Sequence, residues 1–184
     1  MPYQQHRNTL LALAQNSIRY GLRKGCPLAV DLNELPEALI ERRATFVTLQ
    51  KMGRLRGCIG TLMAQRPLAE DVAYNGWSAA FRDPRFHPVD EDELEQLDIS
   101  ISILSTPEPM LFDSEADLLE QIRPGEDGLI LEAAGRRGTF LPSVWESLPD
   151  KRDFLAHLKL KAKLPAHFWS DEIRVFRYTA ECIK

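Results

Sequence analysis

Arg56 and Cys58 are the residues whose types and spacing best suit chemistry, and they stand two positions apart in the segment LRGCIG. A cysteine reacts as its thiolate, which a neighbouring cation stabilises. If this segment is a strand, residues two apart point to the same face, so the guanidinium and the thiol share a face. Gly57 and Gly60 lack a Cβ and allow a ligand or another backbone to approach closely. Arg56 and Cys58 are therefore candidate catalytic residues and the glycines candidate binding residues. The alternative is that Cys58 is a small buried core residue.

A second group of candidate binding residues lies at the start of and within the segment RDPRFHPV. The planar fork of arginine suits carboxylates and phosphates, so Arg82, Asp83 and Arg85 can clamp an anionic ligand. A structural ion-pair network that fixes the loop explains the same residues equally well. His87 is either an acid–base group of this site or a solvated loop histidine. No Cys–His arrangement is recognisable among the four histidines, so no general base for Cys58 is named.

Cysteine spacing and missing motifs argue against metal and cofactor chemistry. Cys26, Cys58 and Cys182 are far apart and form no C-x-x-C pair, so neither a disulfide framework nor a zinc site is expected. The sequence has no phosphate-binding loop, dinucleotide fingerprint, zinc-protease motif or nucleophile elbow. We therefore expect no bound metal and no cofactor.

The charge balance bounds the partners and the compartment. With 23 basic and 27 acidic residues the net charge is −4, so neither nucleic acid nor an anionic membrane is an expected partner. The locally basic stretch 151–163, followed by Phe168 and Trp169, fits either contact with RNA or an acidic partner, or a solvated helix face. No apolar run approaches the roughly 20 residues of a membrane span, and the N-terminus lacks a secretory apolar region. The sequence therefore favours a cytoplasmic protein.

The pattern of apolar residues predicts helices mixed with antiparallel strands. Period-two alternation around the turn pair Met52-Gly53 predicts an antiparallel hairpin with Val47 and Ile59 buried, in which Leu55 points to the same side as Ile59. Arg56 then faces away, so Arg56→Ala is expected to leave folding nearly intact. The predicted helices are 7–24, 68–81, 113–122 and 151–163, and the predicted strands are 45–51, 54–60, 99–103, 128–132, 137–141 and 174–178. At 184 residues this is an α+β protein with mixed, largely antiparallel sheets and flanking helices.

Four blocks of the sequence resemble, in order, the segments that mark the AMMECR domain family. They are LRGCIG; DPRFHPV followed by LDISISIL; RGTFLPSV; and the stretch from FL at 154–155 to Trp169. Together they span most of the chain, from about 44 to 178. Two positions depart from the family pattern. His87 stands where a proline or apolar residue is usual, and Lys163 stands where a glycine is usual, which bears on how that helix ends.

The resemblance implies a single AMMECR-type domain over 1–184, with two unequal lobes and a cleft between them whose boundary is not defined. In bacteria and archaea such proteins resemble the A component of AmmeMemoRadiSam sets. The implied role is a component of an enzyme system with Memo-type and radical-SAM partners, binding a small molecule or modified nucleotide near Arg56 and Cys58. Whether the chain itself is an enzyme stays open, as does its oligomeric state. The alternative is a non-catalytic adaptor that presents the same surface to a protein partner.

Overall fold

The structure, a computed structural model, describes residues 2–184. The chain divides into two compact units: the described residues up to Leu104 together with Glu181–Lys184, and Ser105–Ala180. The α+β class predicted from the sequence is confirmed. In chain order the elements are α1 (Arg7–Lys24), α2 (Glu37–Ile40), β1 (Thr45–Lys51), β2 (Arg54–Gly60), α3 (Leu68–Phe81), β3 (Leu97–Leu104), β4 (Glu108–Pro109), α4 (Glu115–Gln121), β5 (Gly128–Ala133), β6 (Arg136–Phe140), α5 (Lys151–Lys161), β7 (Arg174–Tyr178) and β8 (Ala180–Ile183).

In the first unit, α1 and α3 pack on one face of a four-stranded sheet with the order β2-β1-β3-β8. β1 is antiparallel to both β2 and β3. Alternate residues of β1 and β3, such as Val47, Leu49 and Ile101, have no exposed surface and share one core with Leu10 and Ile18 of α1. Each such burial stabilises the fold by about 1.5–3 kcal/mol. The intervening residues face the opposite side of the sheet, where the candidate site lies.

A buried carboxylate ties α3 to the start of β1. Asp71 Oδ2 accepts hydrogen bonds from the Thr45 N–H at 3.0 Å and from the Thr45 hydroxyl at 2.8 Å. Asn75 Nδ2 donates to the same oxygen at 2.9 Å, and Arg66 pairs with Oδ1 at 3.2 Å. Because a buried charge is costly unless it is paired, this network fixes where α3 lies on the sheet. It thereby fixes the start of the loop that follows α3.

The second unit holds an antiparallel sheet with the order β4-β7-β5-β6. Leu129 and Leu131 of β5 are completely buried and share a core with Phe154 of α5. The rings of Trp145 and Phe154 stack with their centroids 3.7 Å apart. Asp150 caps α5, because its carboxylate accepts hydrogen bonds from the first backbone N–H groups of the helix.

The end of α5 keeps the geometry of a glycine cap although the residue is a lysine. Lys163 has φ 60°, in the left-handed region that favours glycine. Its N–H donates to the Leu160 carbonyl at 2.8 Å, and the Leu164 N–H donates to the Lys159 carbonyl at 2.9 Å. This pair of bonds is the Schellman arrangement that ends many helices. The departure from the family pattern therefore changes the residue and not the backbone.

Most predicted elements are present, and the bounds of α4, α5, β5 and β6 differ from the predicted ones by one or two residues. β3 begins two residues before the predicted strand 99–103 and ends one residue after it. The short strands β4 and β8 were not predicted. Within residues 2–184, no helix has the length and apolar character needed to cross a membrane.

Candidate functional site

The candidate site begins with an irregularity in the hairpin of β1 and β2. Leu49 pairs with Gly57, but the next residue, Gln50, pairs with Leu55, so the register shifts at Arg56. An extra residue of this kind is a β-bulge, which re-aims side chains on the bulged strand. Simple alternation therefore fails here. Leu55, predicted on the buried side, is 43% exposed.

The bulge brings Arg56 against Glu93. Arg56 Nε donates to Glu93 Oε1 at 3.1 Å, and Nη2 donates to Oε2 at 2.8 Å, a bidentate pair. Lys51 Nζ adds a third contact to Oε1 at 3.0 Å. The Arg56 and Glu93 side chains are each only 15% exposed. The hydrogen bond from Arg56, opposed by burial and aided by Lys51, lowers the pKa of Glu93 to about 2. The charge of Arg56 is therefore largely compensated by Glu93.

One nitrogen of Arg56 is left over. In the part of the chain that the structure describes, Nη1 of Arg56 is buried and has no hydrogen-bond partner. Nη2 lies 3.5 Å from the Pro88 carbonyl, and the guanidinium carbon lies 5.9 Å from the centre of the Phe86 ring. A buried donor without a partner is uncommon, because its desolvation is not offset. Nη1 is enclosed by the protein, so it is not exposed to a ligand.

Cys58 is a free, half-buried cysteine whose backbone and side chain have separate partners. Its N–H donates to Asp83 Oδ2 at 2.9 Å, and its carbonyl lies 3.5 Å from Arg85 Nη2. The thiol Sγ lies 3.3 Å from the hydroxyl oxygen of Thr48, which can donate to it. The loop after α3 thus fixes the backbone of Cys58, while the thiol stays on the sheet face.

Asp83 and Arg85 form the ion pair that makes this attachment. Arg85 donates to the Asp83 carboxylate from Nε at 2.9 Å and from Nη2 at 2.7 Å. The Asp83 side chain is only 2% exposed. The hydrogen bond from Arg85, opposed by burial and supported by the N–H of Cys58, lowers the pKa of Asp83 to about 2. This geometry favours the structural ion-pair interpretation of the loop, and the ligand clamp stays a prediction.

The other two candidates in this loop lie apart from that pair. Arg82 is exposed, and its guanidinium carbon lies 5.2 Å from the centre of the Trp77 ring. His87 is also exposed. The structure therefore brings Asp83 and Arg85 to Cys58. It places Arg82 beside the ring of Trp77 in α3.

The two glycines of LRGCIG serve close packing of the protein itself. A Cβ at Gly57 would lie 2.2 Å from the carbonyl oxygen of Ala79 in α3. At Gly60 it would lie 2.4 Å from the Thr45 carbonyl oxygen and 2.3 Å from Cγ of Phe46. Real Cβ atoms do not make contacts this short, so a side chain at either position would displace backbone or an aromatic ring. The nearest neighbours of both glycines are parts of the chain, and their role toward a ligand stays a prediction.

Cys58 belongs to a row of small polar side chains across three strands. The register pairs Cys58 with Thr48, and Thr48 with Ser100. All three are half-buried and lie on the sheet face opposite Val47 and Ile101. One thiol and two hydroxyls can donate and accept hydrogen bonds without carrying a fixed charge. This row is the candidate site. Lys51 follows the alternation of Val47 and Leu49 along β1, so its contact with Glu93, which Arg56 shares, lies apart from the row.

Glu93, Lys51 and Thr48 were not singled out from the sequence. Glu93 lies in an acidic stretch, 90–98, whose members the sequence cannot rank, because its partner Arg56 is 37 positions away. Thr48 can be found by pairing the two predicted strands, which places it opposite Cys58. Within residues 2–184, no group of three or more histidine, cysteine or acidic side chains is placed to hold a metal ion.

The basic stretch 151–163 does not form one exposed basic face. Lys159 is completely buried and pairs with Glu115 at 2.9 Å. Lys151 donates to the Leu119 carbonyl at 3.0 Å, and the Lys161 ammonium lies 4.9 Å from the centre of the Phe140 ring. Arg152, Lys161 and Lys163 are nevertheless exposed, and contact with RNA or an acidic partner stays a prediction.

Comparison with known proteins shows that relatives of this chain match it over most of its length. A family model described as AMMECR1 matches residues 11–183. A protein of Methanothermobacter thermautotrophicus is 40% identical over 179 residues, which cover 94% of this chain and 91% of the relative. A protein of Thermotoga maritima is 39% identical over 178 residues, which cover 95% and 94%. The crystal structure of the uncharacterized protein PH0010 from Pyrococcus horikoshii matches with a TM-score of 0.88 at 33% identity, covering 95% of this chain and 88% of that one.

Proposed function

The chain belongs to the AMMECR1 family, and from that premise we propose that it is a cytoplasmic component of an enzyme system with Memo-type and radical-SAM partners. Its own part is to bind a small molecule or modified nucleotide near Arg56 and Cys58. The observation that carries this proposal is the position of half-buried Cys58. The thiol of Cys58 lies in a row of polar side chains on one face of the sheet. The backbone N–H of Cys58 donates to Asp83 in the loop after α3.

The chemistry of the row limits the ligand class. Thr48 and Ser100 offer hydroxyls, and Cys58 offers a thiol. Glu93 already compensates most of the positive charge nearby. A site with many neutral hydrogen-bonding groups and little free charge suits a polar ligand of low charge better than a polyphosphate.

The direct test is native mass spectrometry of protein purified gently from its own host, followed by release and identification of any retained small molecule. We expect a retained mass in the wild-type protein and its loss in Thr48→Val, which removes a hydroxyl of the row and conserves side-chain shape. Ser105→Ala is the matched control, because Ser105 lies outside the row and its hydroxyl bonds only the neighbouring backbone of the second unit. If the gently purified protein repeatedly has the mass calculated for the chain alone, the result would contradict small-molecule binding.

One observation favours the adaptor as a second candidate. Met52 at the hairpin turn is 88% exposed and Leu55 is 43% exposed, so β1 and β2 present apolar surface beside the site. An adaptor needs these side chains and not the thiol. Co-purification of a Memo-type partner that is lost in Leu55→Glu but kept in Cys58→Ser would therefore favour the adaptor. The reverse result would favour the ligand site.

A further inference from the structure

A groove of about 450 Å³ lies in the second unit, beside the end of the short strand β4. β4 ends at Pro109, and the next N–H, that of Met110, donates to the Val175 carbonyl of β7 at 2.8 Å. Two segments line the groove: residues 109–113, and residues 169–171 together with 173–176. The volume lies within the roughly 300–1,000 Å³ that is usual for small-molecule sites.

Aromatic rings form part of the lining. Phe112 and Trp169 contact each other with their ring centroids 5.8 Å apart and their planes inclined at 55°, so the two rings form a corner. Both residues are half-buried and pack against the second core, which holds them in place. Phe176 supplies a third ring to the lining. The face of an aromatic ring attracts a cation, and tryptophan attracts it most strongly.

Trp169 already has one cation of the protein beside it. Nζ of Lys159 lies 5.6 Å from the centre of the Trp169 ring. Lys159 is completely buried, and its ammonium pairs with Glu115 at 2.9 Å. The charge of Lys159 is therefore compensated inside the second unit, and it is not one of the charges that line the groove.

The charged side chains of the lining give the groove a negative balance. Asp113 and Asp171 are exposed, and within residues 2–184 neither carboxylate has an ion-pair or hydrogen-bond partner. Arg174 is the cation of the lining, and its Nη2 pairs with Glu132, outside the groove, at 3.2 Å. Even with Arg174 counted in full, two negative charges against one positive leave the lining with a net charge of −1.

The lining also limits the kind of cation. Met110, Ile173 and Val175 are apolar and buried, so the inner part of the groove offers few acceptors for hydrogen bonds. An unsubstituted ammonium has three N–H donors that lose water in such a place, whereas a fully methylated ammonium has none. Exposed carboxylates attract either cation through charge alone. Aromatic rings, apolar neighbours and unpaired carboxylates together suit a methylated ammonium.

We propose that this groove binds the methylated ammonium group of a small cationic molecule. The group packs into the corner between Phe112 and Trp169, and Asp113 and Asp171 supply the opposite charge from the solvent side. The groove contains no residue of the row around Cys58 and does not depend on the function proposed for that row.

The probe is choline, and its matched control is the neutral alcohol with a tert-butyl group in place of the trimethylammonium group. Each is titrated into the full chain while the backbone amides are followed by NMR. We expect saturable shifts at residues 110–113 and 169–176 and none in the first unit. Choline should bind about tenfold more tightly than the alcohol, because the two have the same shape and differ in charge.

Two variants separate the ring from the charge. Trp169→Leu removes the aromatic face and keeps an apolar side chain, so it should weaken choline binding about tenfold and leave the affinity for the alcohol nearly unchanged. Asp171→Asn should weaken choline binding about threefold and leave the alcohol unaffected. Glu146→Gln, an exposed change in the same unit outside the lining, should alter neither affinity. If Trp169→Leu does not fold, Asp171→Asn decides.

Equal affinities of the wild-type chain for choline and the alcohol would overturn the proposal, because the groove would then be only apolar. No saturable shift with choline, or shifts centred outside the two segments, would overturn it as well. A trimethyl-lysine peptide that binds where choline does not would assign the groove to a protein tail and not to a small molecule.

Discussion

Arg56 holds its guanidinium against both oxygens of Glu93, while Cys58 two residues on leaves its thiol half-exposed. The register shift at Arg56 causes this difference, because it aims the arginine at Glu93, whose partner Lys51 lies near the end of the hairpin. Sequence alternation places Arg56 beside the thiol as its cation. In the structure Arg56 instead holds Glu93, in the acidic segment before β3. The cation that contacts Cys58 is Arg85, through the backbone carbonyl.

This geometry revises the expectation that Arg56→Ala leaves folding nearly intact. Arg56 and Glu93 are mostly buried, and removing Arg56 takes both of its hydrogen bonds from Glu93, which keeps its contact with Lys51. We expect Arg56→Ala to lower the free energy of unfolding by about 2–3 kcal/mol in urea titrations. Arg54→Ala, an exposed change on the same strand, should cost less than about 0.5 kcal/mol. Equal effects of the two changes would show that the Arg56–Glu93 pair contributes nothing measurable.

The reactivity of Cys58 tests whether its surroundings favour the thiolate. The Thr48 hydroxyl lies 3.3 Å from Sγ of Cys58, and Arg85 Nη2 lies 3.5 Å from the Cys58 carbonyl. A cation close to a cysteine raises the reactivity of its thiol. We expect Cys58 to alkylate faster than the more exposed Cys182 at neutral pH, and Arg85→Ala to slow it about tenfold.

Timed alkylation of folded protein with peptide mass mapping measures both rates. Arg82→Ala is the matched control, because Arg82 is an exposed arginine of the same loop that contacts Trp77. If Cys58 reacts only after denaturation, the thiol is a packing group and the nucleophile hypothesis fails. Fast reaction alone shows an available thiol and not catalysis.

At the scale of elements, the end of α5 offers a stabilising change. Lys163 holds φ 60°, which costs a residue with a Cβ about 1–2 kcal/mol, whereas glycine adopts it freely. Glycine loses more backbone entropy on folding, which offsets part of the gain. We expect Lys163→Gly to raise the free energy of unfolding by about 0.5–1 kcal/mol. Lys163→Ala keeps the Cβ and should give no gain in the same denaturant titration.

The elements themselves follow from local patterns, whereas their irregularities do not. The alternation of β1 and the pair Met52-Gly53 predict the hairpin correctly, because turn chemistry and period two are local signals. The register shift at Arg56 has no local signal in the sequence, so alternation misplaces Leu55. β8 is four residues long and stabilised by its neighbour β3, so its own sequence carries little signal.

The candidate site, like the elements, could be predicted from the sequence only in part. Cys58 and the loop residues Asp83 and Arg85 stand out by type, and the structure brings them together. Arg82 has the same chemistry, but its position after α3 turns it toward Trp77. Which charged side chains meet depends on packing of α3 against the sheet, and residue type does not encode that.

At the scale of the whole molecule, two carboxylates link stability to acid pH. Asp83 and Glu93 have pKa values of about 2 in the folded chain, below the usual 3.8 and 4.5. A carboxylate with a depressed folded pKa stabilises the fold above its unfolded pKa, and this contribution is lost as pH falls toward the folded value. A pKa difference of about two between the folded and unfolded chain corresponds to at most about 3 kcal/mol of folding free energy per group.

We therefore expect the free energy of unfolding to fall by a few kcal/mol between pH 5 and about pH 2. Urea titrations across this range measure the fall. Glu93→Gln removes one of the two groups and should flatten the pH dependence while lowering stability at pH 7. An unchanged slope in this variant would assign the acid sensitivity to other carboxylates.

The attachment of Cys58 through its backbone has a practical consequence for labelling. Asp83 and Arg85 contact only the backbone N–H and carbonyl of Cys58. These contacts can therefore form with another side chain at position 58. With serine, selenocysteine or a spin-labelled cysteine at residue 58, the backbone should therefore keep the same position in the sheet. With Cys26 and Cys182 replaced, a single spin label at this position would report local motion through the line shape of its EPR spectrum.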